Sequence, residues 1–167
     1  TFSSHADLNP DTDFIISMGG DGTILDTVTF VANKNIPILG INLGRLGFLA
    51  GTTQHEIAFA IDSLDKGTYK LDKRTLLHCT ANMPLFEEAP FALNDFTIQR
   101  KDSNALVKIH TYVNGEFLCT YWADGIIVST PTGSTGYSLS CGGPIIAPQT
   151  SSFIITPVAP HNLNIRP

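Results

Sequence analysis

Met18-Gly19-Gly20-Asp21-Gly22-Thr23 stands between the apolar run Phe14, Ile15, Ile16 and a second apolar series, Ile24, Leu25, Val28, Val31 and Ala32, spaced like one face of a helix. The arrangement reads as a buried strand, a tight turn and an amphipathic helix. Glycines let the chain turn sharply and let a ligand approach the main chain. Thr23 is suited to cap the helix, with Asp26 completing a capping box. Amides at a helix start favour anions. A carboxylate at that point repels phosphate, so Asp21 reads as a Mg²⁺ ligand, as the acceptor of a hydroxyl proton, or as a plain Gly-Asp-Gly turn residue.

Outward from this turn, residues 36–41 repeat the apolar strand pattern, so 14–18, 23–32 and 36–41 form a strand-helix-strand unit. Such a unit implies parallel strands and a right-handed crossover. Ligands of open α/β sheets gather at the carboxyl ends of the strands, which places Asn42, Leu43, Gly44, Arg45, Leu46, Gly47 and Phe48 beside the crevice of Asp21. Arg45 is there either a phosphate-neutralising cation or a solvated loop residue. Residues 53–64 read as a second helix, with Thr53 and Glu56 as its capping box, Ile57, Ala60, Ile61 and Leu64 as its buried face and Gly67 as its stop. Residues 1–10 read as a short polar connection.

Beyond Tyr69 the period changes from helical to β, with strands over 74–81, 91–99, 106–113 and 117–122 and a hairpin turn at Asn114-Gly115. The change divides the chain into a partial Rossmann-like α/β domain, 1–68, and a β-rich, β-sandwich-like domain, 69–167. Asn94 and Asp95 interrupt the apolar run 91–98, which calls for a hydroxyl-bearing ligand or for a β-bulge facing water. After a strand at 126–128, residues 129–138 are rich in hydroxyls and glycines, with a short helix starting near Ser134. Clustered hydroxyls can read a base edge and Tyr137 can stack on it; Ser/Thr-Gly runs also make flexible loops, but Pro131 and Pro144 stiffen this one. Residues 153–156 form a last strand.

The 167 residues suffice for one domain or two small ones. A net charge of −5 and a pI near 5.4 argue against a nucleic-acid partner, which needs a basic face. A single nucleotide needs only amides, a local cation and Mg²⁺. No run reaches the roughly 18 apolar residues of a membrane helix, and no charged-then-apolar leader opens the chain, so a cytoplasmic location without a membrane partner is expected. Cys79, Cys119 and Cys141 have unrelated spacings, which points to reduced thiols rather than a disulfide framework or a zinc site. The histidines show no metal-ligand spacing.

Together these pieces resemble the NAD kinase family, ATP- or polyphosphate-dependent enzymes that phosphorylate NAD to NADP. Gly19-Gly20-Asp21-Gly22-Thr23, Asn94-Asp95, and Asp124-Gly125 with residues 129–138 carry the likeness. Leu46-Gly47-Phe48-Leu49, Gly142-Gly143-Pro144, Thr156-Pro157 and Pro160-His161 support it. The first block alone is shared with diacylglycerol-type lipid kinases and phosphofructokinases, so the alternatives are a lipid or sugar kinase, or a non-catalytic dinucleotide-binding module.

The resemblance implies an α/β part and a β-rich part with the dinucleotide held between them. It implies that Asp21 contacts the adenosine ribose 2′-hydroxyl as catalytic base, and that Asn94 and Asp95 hold a ribose and nearby base atoms. Thr132 and Thr135 would read a base edge, Tyr137 would stack, and Asp124 would bind the far end of the dinucleotide, from a neighbouring subunit. The implied NAD-binding set is Asp21, Gly22, Phe48, Asn94, Asp95, Asp124, Thr132, Thr135, Tyr137 and Ser140; the donor phosphates would face Gly19, Gly20, Gly22, Thr23 and Arg45. Mg²⁺ or another divalent cation would be held through the donor phosphates rather than by a protein metal site. A homodimer or homotetramer is implied, and the chain corresponds to an internal portion of the enzyme, its β-rich part truncated. Gly136 stands where the family usually has alanine, and Asp95 where many members have glutamate.

Overall fold

The computed structural model describes residues 5–44, 47–83, 85–86, 90–101 and 105–162. Its backbone groups into two compact units, Thr1–Lys73 with His78–Ala92 and Arg74–Leu77 with Leu93–Pro167. Residues 78–92, which follow the expected boundary at 68/69, group with the first unit. The reading of an α/β part followed by a β-rich part is borne out.

In the first unit β1 (Ile15–Gly19) is followed by α1 (Asp21–Val31), β2 (Ile38–Asn42) and β3 (Thr52–Thr53), the three strands running parallel in the order β1-β2-β3. Gly19 pairs with Asn42, so β1 and β2 stop level. Leu43 N–H donates to the Gly19 carbonyl at 3.3 Å, which sets the two glycine-rich turns side by side at the carboxyl edge. The helix turns Ile24, Thr27, Val28 and Val31 inward. Thr27 Oγ1 lies 3.0 Å from Ser17 Oγ and 2.7 Å from the Thr23 carbonyl, so hydroxyls buried under the helix have partners.

The start of α1 differs from expectation. The helix begins at Asp21, with Gly20 as N-cap and no side-chain cap. Thr23 therefore lies inside the first turn, its amide donating to the Gly20 carbonyl at 3.1 Å, and the Thr23/Asp26 capping box does not form. Successive glycines let the chain enter the helix without a capping side chain. The opening segment is also more than a connection. Leu8 is buried with Ile15, Val31 and Ile36, and Lys34 Nζ donates to the carbonyls of His5 and Leu8 at 2.6 Å each. One leucine among polar residues supplies the core contact, which no periodicity announces.

The Thr53/Glu56 capping box is present, on a 3-10 turn at Gln54–Glu56 that leads into α2 (Ile57–Asp65). Gly67, at φ +65°, ends the helix: Thr68 N–H donates to Ser63 O at 2.9 Å and Gly67 N–H to Leu64 O at 3.2 Å. The expected buried face is a correction, since no residue of α2 is buried; Ile57, Ala60 and Leu64 are half-buried and Ile61 is exposed. A two-residue β3 offers the helix little sheet to pack on. The strand expected over 74–81 shrinks to β4 (Leu77–His78), which pairs with β5 (Phe91–Ala92).

The strand expected over 91–99 is broken at Leu93-Asn94: β5 belongs to one sheet and β6 (Asp95–Gln99) to another. In the second unit β7 (Val107–Val113) and β8 (Glu116–Ala123) form the expected hairpin, with Asn114 at φ +53° and Gly115 at φ +87°. Both turn residues are left-handed, as a type I′ turn requires. On the polar face Lys108 Nζ sits 4.7 Å from the Trp122 ring centroid and His110 Nδ1 is 2.8 Å from Thr120 Oγ1. Strand β9 (Gly125–Ser129) runs antiparallel between β6 and β10 (Ile154–Val158). Between β9 and β10 come a 3-10 turn at Thr132–Thr135 and the short helix α3 (Tyr137–Ser140), in place of the single helix expected from Ser134. Among the described residues no helix is long and apolar enough to cross a membrane.

Candidate active site

Asp21 is the first residue of α1, one position beyond the glycine that follows β1. Its carboxylate reaches across to the chain after β2. Phe48 N–H donates to Oδ2 at 2.7 Å, Leu49 N–H to Oδ1 at 3.0 Å and Ala50 N–H to Oδ1 at 3.3 Å. Partial burial pushes the carboxyl up, but the three amide bonds together outweigh it and hold the pKa below the ordinary aspartate value of 3.8. Asp21 is thus an ionised acceptor at neutral pH. A Cβ on Gly47 would overlap the Asp21 carboxylate, and one on Gly19 would overlap Thr23 Oγ1. Asp21 thus packs against the turn that follows β2, its carboxylate in contact with residues 47–50.

Further along, Gly44 N–H donates to Asn42 Oδ1 at 2.8 Å, and Gln54 Nε2 to the Leu43 carbonyl at 3.3 Å. These residues, with Thr53 and His55, line a cavity of about 270 Å³ to which Asp21 contributes nothing. Phe48 is 80% exposed, with its amide held by Asp21. Arg45 lies outside the described residues.

In the second unit the expected NAD-binding residues Asn94, Asp95, Thr132 and Thr135 come together. The Asn94 carbonyl accepts from Thr130 N–H at 2.9 Å and from Ser129 Oγ at 3.3 Å. A Cβ on Gly133 would overlap that carbonyl oxygen and lie 2.7 Å from Asn94 Cα, so the 3-10 turn rests directly on the main chain of residue 94. The break before β6 is what lets it do so, and Asn94 makes neither a continuous strand nor a bulge facing water.

Much of the hydroxyl-rich loop is internal. Ser129, Thr130, Ser134 and Ser138 are fully buried: Thr130 Oγ1 donates to Leu93 O at 2.5 Å and accepts from Gly133 N–H at 3.1 Å, and Ser138 Oγ pairs with Thr156 Oγ1 at 2.8 Å. The loop is a hydrogen-bonded support and not a flexible linker. Thr132 is buried too, its hydroxyl accepting from Arg74 Nη1 at 3.3 Å. Thr135 and Asp95 are half-buried, while Tyr137 and Ser140 are exposed. The Tyr137 hydroxyl accepts from Gln99 Nε2 at 2.7 Å.

Asp124 sits between β8 and β9 and pairs with Arg100, Nη2 to Oδ2 at 3.0 Å; its Oδ1 is buried without a hydrogen-bond partner among the described residues. Arg100, Gln99 and Arg74 belong to no motif, so no pattern along the sequence marks them, and none marks the amides of Leu49 and Ala50. Backbone donors 28 and 29 residues from their acceptor leave no side-chain signal.

The family model described as the ATP-NAD kinase N-terminal domain matches residues 4–69, and that described as the ATP-NAD kinase C-terminal domain matches residues 93–167. The NAD kinase of Cytophaga hutchinsonii is 53% identical over 167 residues, 100% of this chain and 57% of that protein. A crystal structure of yeast NADH kinase complexed with NADH is 36% identical with a TM-score of 0.84, over 93% of this chain and 46% of that one. An NAD kinase from Archaeoglobus fulgidus in complex with ATP is 29% identical with a TM-score of 0.77, over 98% of this chain and 62% of that one. The chain spans about 57% of the length of the curated relatives it matches.

Proposed function

The chain belongs to the NAD kinase family, and from that premise we propose that the protein phosphorylates the adenosine ribose 2′-hydroxyl of NAD, with ATP as donor, to give NADP. The observation that carries the reading is the ionised Asp21 at a glycine-flanked strand-to-helix turn, its carboxylate held by three backbone amides. In-line transfer forms a bond from the ribose oxygen to the γ-phosphorus and breaks the bond from that phosphorus to ADP. Asp21 accepts the hydroxyl's hydrogen bond, orients its oxygen and takes the proton late, once the forming bond has acidified it. A depressed pKa suits that role, because the carboxylate does not protonate ahead of the substrate. The amides of Asp21 and Gly22 precede the first intrahelical bond and suit the donor phosphates, whereas that of Thr23 is already engaged by Gly20.

In the second unit Asp95, Thr135, Tyr137 and Ser140 present accessible groups for a ribose and a base. Asn94 and Thr132 act through the turn they build, and Asp124 contacts ligand in a homo-oligomer. Mg²⁺ accompanies ATP as part of the donor; among the described residues no three His, Cys, Asp or Glu side chains gather as a metal site. The location is cytoplasmic and the role is NADP biosynthesis. The test is to incubate the full-length protein with NAD, ATP and Mg²⁺ and to follow NADP with an NADP-specific dehydrogenase. Polyphosphate in place of ATP, and NADH in place of NAD, are parallel arms. NADP formation with ATP is the expected result, and its absence overturns the proposal.

A further inference from the structure

We propose that residues 47–50 are the positioning element of the phosphoryl-transfer site: the amides of Phe48, Leu49 and Ala50 fix the Asp21 carboxylate so that one acceptor position, on Oδ2, is left for a substrate hydroxyl. The inference rests on the kinase reading and extends it from the acid to the loop that holds it. A carboxylate offers about four acceptor positions, two on each oxygen. Leu49 and Ala50 take both on Oδ1, at 3.0 and 3.3 Å, and Phe48 takes one on Oδ2 at 2.7 Å. One direction remains among the described residues, on the oxygen with the shortest bond. The carboxylate plane cannot rotate about its own bond without breaking amide bonds on both oxygens at once.

Gly47 completes the device by what it lacks. The Asp21 carboxylate fills the space where a Cβ at position 47 would stand. What Gly47 supplies is room for that carboxylate. Phe48 then acts in two directions, its amide on Asp21 Oδ2 and its ring 80% exposed. Gly47 and the three amides position the carboxylate, and of this group only Asp21 takes the reacting hydroxyl.

The test uses the full-length protein. Hydrogen exchange of the Phe48, Leu49 and Ala50 amides should quicken by about 10-fold or more in Asp21→Ala, since charge-assisted bonds to a carboxylate are lost. Gly47→Ala should lower the melting temperature in the wild-type background and leave it unchanged in Asp21→Ala, where the new methyl occupies the vacated space; the two effects are coupled and not additive. In kinetics Gly47→Ala should lower kcat by about 10²-fold, the loss typical of a reacting group displaced by an ångström, with KM for ATP unchanged. Amide exchange unaffected by Asp21→Ala, or additive melting shifts, overturns the positioning element whether or not Gly47→Ala folds well. A wild-type protein that makes no NADP overturns the activity instead, and the exchange arm separates the two failures.

Discussion

Asparagine at position 21 would match aspartate in size but not in what it offers the facing loop. Its amide nitrogen donates, so either orientation sets a donor against the N–H of Phe48 or against those of Leu49 and Ala50. Asp21→Asn should therefore destabilise the protein by about 1.5–3 kcal/mol at pH 7, the range for a hydrogen bond to a charged group, measured by urea unfolding. The gap depends on pH with a definite sign. Unfolded, the carboxyl titrates near 3.8; folded, it titrates lower. The stabilisation is complete above 3.8 and is lost as pH falls through the folded value, so the gap between wild type and variant should close in acid. A gap that widens in acid would contradict the amide cradle. Turnover of the variant should fall by roughly 10²–10⁴, with NAD affinity little changed. Because the loop loses its anchor, that fall reports positioning together with proton transfer.

At the scale of elements, two glycines make opposite demands. Gly115 stands at φ +87° with no described residue beyond its chain neighbours within 4 Å of the place a Cβ would take, so Gly115→Ala meets open space and a left-handed backbone. It should cost about 1–2 kcal/mol through conformation alone, read as a shift of the urea midpoint with unchanged slope. Gly133 is not left-handed; its Cβ would strike the Asn94 carbonyl, which is backbone and cannot rotate away. Gly133→Ala should push the 132–135 turn off residue 94 and weaken NAD binding far more than Gly115→Ala does, a contrast that calorimetry can read. Equal NAD affinities for the two variants would mean that the turn takes no part in the ligand site.

For the whole molecule, ligand should appear as stability. NAD at 100 times its Kd should raise the unfolding free energy by about 2.7 kcal/mol, visible as a higher melting temperature. Tyr137→Ala should weaken NAD binding by about 1–3 kcal/mol, by analogy with aromatic stacking on bases; unchanged affinity by calorimetry would make the ring a surface residue held by Gln99. If sites are shared between subunits, mixing Asp21→Asn and Asp124→Asn proteins should restore part of the activity. A monomer in light scattering at working concentration would exclude that.

The strand-turn-helix around Asp21, the parallel pairing of β1 and β2, the Asn114-Gly115 hairpin and the stop at Gly67 were all legible in the sequence, because period, turn chemistry and capping are local. So was the likeness carried by the glycine-aspartate turn, Asn94-Asp95 and the hydroxyl-rich loop. What the tertiary structure decided is who bonds to whom. It turned four of the hydroxyls inward, at Ser129, Thr130, Ser134 and Ser138. It left α2 without a buried residue. It drew Leu8 into the core, and it set three amides on Asp21. Each of these depends on groups far apart in the chain, and backbone donors look the same in every residue but proline, so no pattern along the sequence could have marked them.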